Sequence, residues 1–251
     1  MSQSAMPWVW VHGYLGSEEI WGEALAQVRA HREVVTLDLP GFGARAGELA
    51  PDSIAAFAQY VLSETRARGI EQFGLLGHSM GGQITQETAL QAPDRVRAAV
   101  LYGTGPVGAM PGRFEPIERS RERLREDGVA ATAARIGATW FLEREAAPDW
   151  LWVRELAHAV SLESADRCLI AMRDWSREAD LSQVACPVQV VWGENDRSYA
   201  WSEQLKLWTQ IPNVSMAMLP RAAHVAHLDQ PQLFVQTVLN FMDHVAKTAV
   251  A

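Results

Sequence analysis

The strongest constraint on the fold is a regular alternation of short β-rich runs with longer segments of helical periodicity. Parallel strands need such crossover segments, which place helices on both faces of the sheet. The sequence therefore predicts an α/β protein with a mostly parallel sheet of about six strands. The predicted strands are 8–11, 34–38, 73–77, 96–102, 188–192 and 214–219.

One long stretch, from residue 104 to residue 186, interrupts this alternation. It has helical periodicity, four tryptophans and an arginine-rich segment predicted to be helical over residues 114–127. A helical insertion between two strands favours a cap over the carboxyl ends of the sheet. We therefore expect a core formed by residues 1–103 and 187–251, and a cap, residues 104–186, inserted before the last two strands.

The composition argues against several classes of protein. A net charge of -8 disfavours the basic surface by which proteins bind nucleic acid. The two cysteines show no zinc-site spacing, and no apolar run is as long as a membrane span. The sequence predicts a cytoplasmic protein with no metal, no cofactor and neither a nucleic-acid nor a membrane partner. It leaves the oligomeric state open.

A glycine-rich turn follows the third predicted strand and precedes a helical segment. It reads Gly77-His78-Ser79-Met80-Gly81, which fits the pattern G-x-S-x-G of a nucleophile elbow. In that turn the serine lies between strand and helix, and small neighbours let the backbone bend without collision. The turn predicts that Ser79 is a catalytic nucleophile.

A serine nucleophile needs a base and a carboxylate that orients the base. Asp196 follows the fifth predicted strand and His224 follows the sixth, and the carboxyl ends of parallel strands meet at one edge of a sheet. The order Ser79, Asp196, His224 is that of α/β-hydrolases. We predict this catalytic triad, with Glu194 as the competing acid and His227 as the competing base.

Backbone donors for the developing oxyanion are predicted by position. Such donors are commonly the N–H that follows the nucleophile and an N–H from the loop after an early strand. In this chain they belong to Met80 and Tyr14.

The cap is expected to close a pocket over Ser79. Arg119 and Arg123 are four residues apart and share a helix face. A guanidinium there would hold a substrate carboxylate or phosphate, although interleaved glutamates also fit solvated ion pairs. We expect a small acyl substrate, with a carboxylate-bearing or carrier-linked form left open. The predicted pocket residues are His78, Trp140, Phe141, Arg119 and Arg123.

Together these segments resemble the α/β-hydrolase superfamily across almost the whole chain. The resemblance rests on residues 12–17, 38–43 and 77–82, on Gly193 with Asp196, and on His224 with His227. It implies an α/β-hydrolase fold and a serine hydrolase that acts through an acyl-enzyme. The implied substrates are esters, thioesters, lactones or activated C–C bonds.

Within the superfamily the chain is similar to the small capped members. These include carboxylesterases, meta-cleavage C–C hydrolases, enol-lactonases, the pimeloyl-carrier-protein methyl esterase and the menaquinone-pathway SHCHC synthase. The synthase implies an alternative, a non-hydrolytic elimination that uses the same triad as a base. It also implies Tyr before the nucleophile and Arg after the glycine pair, where this chain has His78 and Gln83.

Overall fold

The computed structural model describes residues 6–110 and 112–248. Its sheet has six strands in the order β2-β1-β3-β4-β5-β6, and every neighbouring pair is parallel. The predicted fold class is confirmed. The strands are β1 (Trp8–Val11), β2 (Val34–Leu37), β3 (Phe73–His78), β4 (Val96–Tyr102), β5 (Val188–Gly193) and β6 (Val214–Leu219).

Helices surround this sheet. Among the described residues they are α1 (Gly22–Arg29), α2 (Ile54–Ala67), α3 (Met80–Gln91), α4 (Ile117–Trp140), α5 (Trp150–Glu155), α6 (Leu162–Arg173), α7 (Trp201–Gln210), α8 (Ala226–Asp229) and α9 (Pro231–Thr248). Helix α1 packs against α9, and α2 packs against α3. Within the described ranges, no helix is both long and apolar enough to cross a bilayer.

Burial follows position in the sheet. Strands β1, β3 and β5 are buried along their whole length, which explains their continuous apolar runs, whereas the edge strand β6 is partly exposed. A Cβ at Gly74 would lie about 2.5 Å from the Trp8 ring. Glycine at this position therefore leaves room for the Trp8 ring against the neighbouring strand.

The insertion, residues 104–186, contains α4, α5 and α6. Its two ends lie side by side, since Val107 and Ser176 form an antiparallel bridge and the Arg177 N–H donates to the Pro106 carbonyl at 2.8 Å. The arginine-rich helix differs from its predicted range of 114–127. It begins after Pro116 and runs to Trp140, with a break at Gly128 where φ is 81°.

Candidate active site

The turn between β3 and α3 places Ser79 in an unusual backbone conformation. Its φ is 57° and its ψ is -117°, a region that non-glycine residues occupy only when their surroundings hold them there. A Cβ at Gly77 would collide with the Gly81 backbone, and a Cβ at Gly81 would collide with the Val11 carbonyl. The Ser79 N–H donates to the Tyr102 carbonyl at 2.9 Å. The two glycines thus permit the sharp turn that presents Ser79.

Asp196 and His224 lie in the loops after β5 and β6. The His224 Nδ1 bonds to the Asp196 Oδ2 at 2.8 Å, and both side chains are buried. Because the carboxylate only accepts, Nδ1 carries a proton, so in the neutral tautomer the lone pair is on Nε2. The other carboxylate oxygen accepts the N–H groups of Ser198 at 2.7 Å and Tyr199 at 3.1 Å.

The competing acid, Glu194, lies on the outer side of the same loop. It is exposed, and its carboxylate accepts the Arg221 N–H at 2.7 Å. The imidazole of His224 is paired with Asp196 instead.

The competing base, His227, has both ring nitrogens engaged. Nδ1 bonds to the Tyr102 hydroxyl at 2.8 Å, and Nε2 bonds to the Ile20 carbonyl at 2.9 Å. Burial lowers the pKa of His227 to about 4. These contacts give His227 a structural role.

Tyr199 joins the base to the nucleophile, and it was missed by the sequence analysis. Its ring stacks on His224 with centroids 5.8 Å apart and an interplanar angle of 16°. Burial raises the pKa of Tyr199 to about 12, against the lowering effects of nearby Arg113, Ser79 and Thr104. The only signal in the sequence was its position three residues after Asp196.

In the described part of the chain, the Ser79 hydroxyl forms no hydrogen bond with His224 that meets ordinary distance and angle criteria. Catalytic hydrogen bonds are often long without substrate and tighten when substrate binds. Both side chains nevertheless border Tyr199.

The loop after β1 passes directly beside Ser79. A Cβ at Gly13 would lie 3.0 Å from the Ser79 Cβ. His12 braces this loop, because its Nδ1 bonds to the Gly13 carbonyl at 2.8 Å and its Nε2 accepts the Leu39 N–H at 3.0 Å. Within the described residues, the N–H groups of Tyr14 and Met80 have no hydrogen-bond acceptor. Both N–H groups are therefore free to donate to an oxyanion.

His78, a predicted pocket residue, lies beneath the base. Its Nε2 donates to the His224 carbonyl at 3.0 Å, and its ring centroid is 4.5 Å from that of His224. Burial and the neighbouring histidines hold its pKa well below the ordinary value, so the ring is neutral. His78 therefore supports the loop that carries the base, and its role in the pocket stays a prediction.

The end of α4 contacts the loops that carry Asp196 and His224. The Trp140 ring is 6.0 Å from that of His224, and the Trp140 carbonyl accepts the Val225 N–H at 3.1 Å. The Phe141 carbonyl accepts a hydrogen bond from Arg197 at 2.8 Å. These contacts bring both predicted aromatic pocket residues to the edge of the site.

Arg119 and Arg123 have carboxylate partners within the insertion. Arg119 is 52% exposed and pairs with Glu122 at 2.9 Å. Arg123 pairs with Glu115 at 3.3 Å and with Asp127 at 3.9 Å. The structure thus places these two predicted pocket residues in ion pairs and does not bring them to Ser79.

Metal-ligating residue types show no clustering in the described ranges. There, no group of three or more His, Cys, Asp and Glu side chains is arranged to hold an ion.

Comparison with known proteins supports a hydrolase. The chain is 27% identical to "Putative carbamate hydrolase RutD" of Agrobacterium fabrum, over 92% of this chain and 90% of that protein. It is also 27% identical to the pimeloyl-[acyl-carrier protein] methyl ester esterase of Pectobacterium carotovorum, over 93% and 92%. The enol-lactonase structure from Burkholderia xenovorans shares the fold at 22% identity, with a TM-score of 0.85 over 95% and 92%.

The family assignment rests on a match along most of the chain. The family model described as "Alpha/beta hydrolase family" matches residues 8–237. This range includes all six strands and the residues of the candidate site. The chain belongs to the alpha/beta hydrolase family.

Proposed function

We propose that the protein is a serine hydrolase that cleaves a carboxylic ester, thioester, lactone or activated C–C bond through an acyl-enzyme. The observation that carries the proposal is the 2.8 Å bond between His224 and Asp196, beside a serine held at a φ of 57°. A base with a free Nε2 next to a presented hydroxyl is what acyl transfer requires.

In the proposed reaction, His224 Nε2 takes the Ser79 proton as the hydroxyl oxygen attacks the acyl carbon. The negative charge on the carbonyl oxygen is stabilised by the N–H groups of Tyr14 and Met80. The proton then passes to the leaving group as its bond breaks. Water attacks the acyl-enzyme by the same route and regenerates the serine. Asp196 holds the imidazole and stabilises its charged form throughout.

The insertion acts as the cap of the site in this proposal, because the end of α4 contacts the loops of both Asp196 and His224. A small-molecule acyl substrate fits the family. The free, buried thiols of Cys168 and Cys186 support a reducing, cytoplasmic location.

A fluorophosphonate probe tests the nucleophile. We expect the probe to label Ser79, and 4-nitrophenyl acetate to give a burst of nitrophenol. Ser79→Ala should remove the label and lower kcat by a factor on the order of 10⁶, because it removes the attacking oxygen. Ser198→Ala, which changes a buried serine beside Asp196, is the control and should keep the label.

Two results would contradict the proposal. One is turnover of esters by Ser79→Ala at the wild-type rate. The other is a protein that is inert toward esters but eliminates a group from a cyclohexadiene carboxylic acid, which would identify the alternative elimination reaction.

A further inference from the structure

Arg113 is a half-buried cation without a carboxylate partner in the described ranges. Its guanidinium donates to the Glu115 carbonyl and to the Ser120 hydroxyl, the latter at 3.0 Å. The Glu115 carboxylate is already taken by Arg135 at 2.7 Å and by Arg123 at 3.3 Å. Burial lowers the pKa of Arg113. The local charge is therefore positive, with one carboxylate shared by neighbouring arginines.

Arg135 has unused donors in the same neighbourhood. One of its nitrogens bonds to Glu115, but Nε and Nη2 are buried and have no partner. The hydroxyl of Thr132, one turn earlier on α4, is also buried and without a partner. A buried N–H of a charged group that lacks an acceptor is costly. A ligand that supplies acceptors would remove this cost.

The segment that carries Arg113 lies beside the candidate site, because the N–H of the next residue, Phe114, donates to the carbonyl of Arg197, next to Asp196, at 3.1 Å. The Tyr14 hydroxyl, in the loop that passes beside Ser79, is buried without a hydrogen-bond partner, and the residue is only 4% exposed. The charges of Arg113 and Arg135 act to lower the pKa of this phenol, although burial raises it more. Arg113 acts in the same way on Tyr199, which borders Ser79. Since Arg113 and Arg135 both donate to Glu115, the two arginines belong to one cluster beside the candidate site.

We propose that Arg113, Arg135 and the Tyr14 hydroxyl form a subsite that binds a carboxylate on the acyl part of the substrate. A planar carboxylate matches the two free nitrogens of a guanidinium fork and provides the missing negative charge. An uncharged acyl chain would leave these donors unpaired. The inference rests on the proposed hydrolase function and names its substrate class, the monoesters or monothioesters of short dicarboxylic acids.

Paired substrates test the subsite. One is the 4-nitrophenyl monoester of glutaric acid, and the other is its methyl-capped, uncharged analogue. The wild type should show the higher kcat/KM on the charged ester. Arg135→Met and Arg113→Met should each lower that value by about 10- to 100-fold, the effect of one charge-assisted hydrogen bond, and change the neutral ester little. Arg154→Met, at an exposed arginine paired with Glu155, is the matched control.

Binding without turnover gives a second measurement. Calorimetry should show that glutarate binds the wild type, and that Arg135→Lys, which keeps the charge but loses the fork, binds it more weakly. Inorganic phosphate should not compete. Equal wild-type rates on the two esters, no glutarate binding, or binding of phosphate alone would each overturn the subsite. Failure of the proposed function would differ, because neither ester would be hydrolysed and Ser79 would not be labelled.

Discussion

Ionisable side chains differ between two regions of the molecule, the site at the carboxyl ends of the strands and the insertion. Around Ser79 three histidines are held in the neutral form, since burial lowers the pKa values of His12, His78 and His227. In the insertion, most arginines other than Arg113 are paired with acids, as where Arg121 donates to Asp166 at 2.7 and 3.1 Å. The first arrangement depends on backbone contacts and the second on pairs of side chains.

This contrast has a functional meaning. Backbone carbonyls and N–H groups are present whatever the side-chain sequence. Around the candidate triad they bond to His12, His78 and Asp196, so the fold itself helps to position these side chains. Surface ion pairs contribute little stability and can be exchanged. If the proposed function is right, the insertion is the region in which substrate preference can change while the reaction is kept.

Removing the acid tests the catalytic half of the comparison and should have the largest effect after removal of the nucleophile. Asp196→Asn should lower kcat by a factor on the order of 10⁴, because a neutral amide neither holds the imidazole tautomer nor stabilises its charge. Glu194→Gln, the matched control, should stay near the wild-type rate. The assignment of the acid is wrong if Glu194→Gln loses activity and Asp196→Asn keeps it.

The neutral histidines should make stability depend on pH. Below about pH 6.5 the unfolded chain binds a proton that folded His227, with its pKa lowered to about 4, excludes. The free energy of unfolding should therefore fall between pH 6.5 and 4, by on the order of 3 kcal/mol from this residue. Urea unfolding of His227→Gln should show a shallower pH dependence.

The exposed His31→Gln variant is the control for this measurement and should keep the wild-type pH dependence. If His227→Gln keeps it as well, the buried ring does not govern acid sensitivity.

The smallest effect is expected at the exposed ion pairs. Arg119→Met removes a partner of Glu122, and both side chains are more than half exposed. The melting temperature and the ratio of kcat/KM between charged and neutral esters should match the wild type. A selective loss of kcat/KM on the charged ester would indicate that Arg119, and not Arg113 or Arg135, binds the substrate carboxylate.

The sequence predicted the sheet and the candidate triad more fully than it predicted the pocket. The ends of all six strands were predicted to within about one residue. The apolar pattern that distinguishes a short β-rich run from a helical segment is a local property of the sequence. The nucleophile turn was predictable for a similar reason, since Gly77 is needed for a close approach to the backbone of Gly81, only four residues later. The arginine-rich helix was placed less well, because its continuation beyond Gly128 depends on packing.

By itself the sequence determined the order of strands and helices, the serine turn and the residue types after β5 and β6. Only the tertiary structure decided which of these side chains meet. His227 is engaged by the Ile20 carbonyl, 207 positions away in the chain, and Arg121 by Asp166, 45 positions away. Periodicity and turn chemistry act over a few residues, whereas the pairing of a buried donor depends on what folding brings beside it. The unpaired nitrogens of Arg135 therefore became visible only in the folded chain.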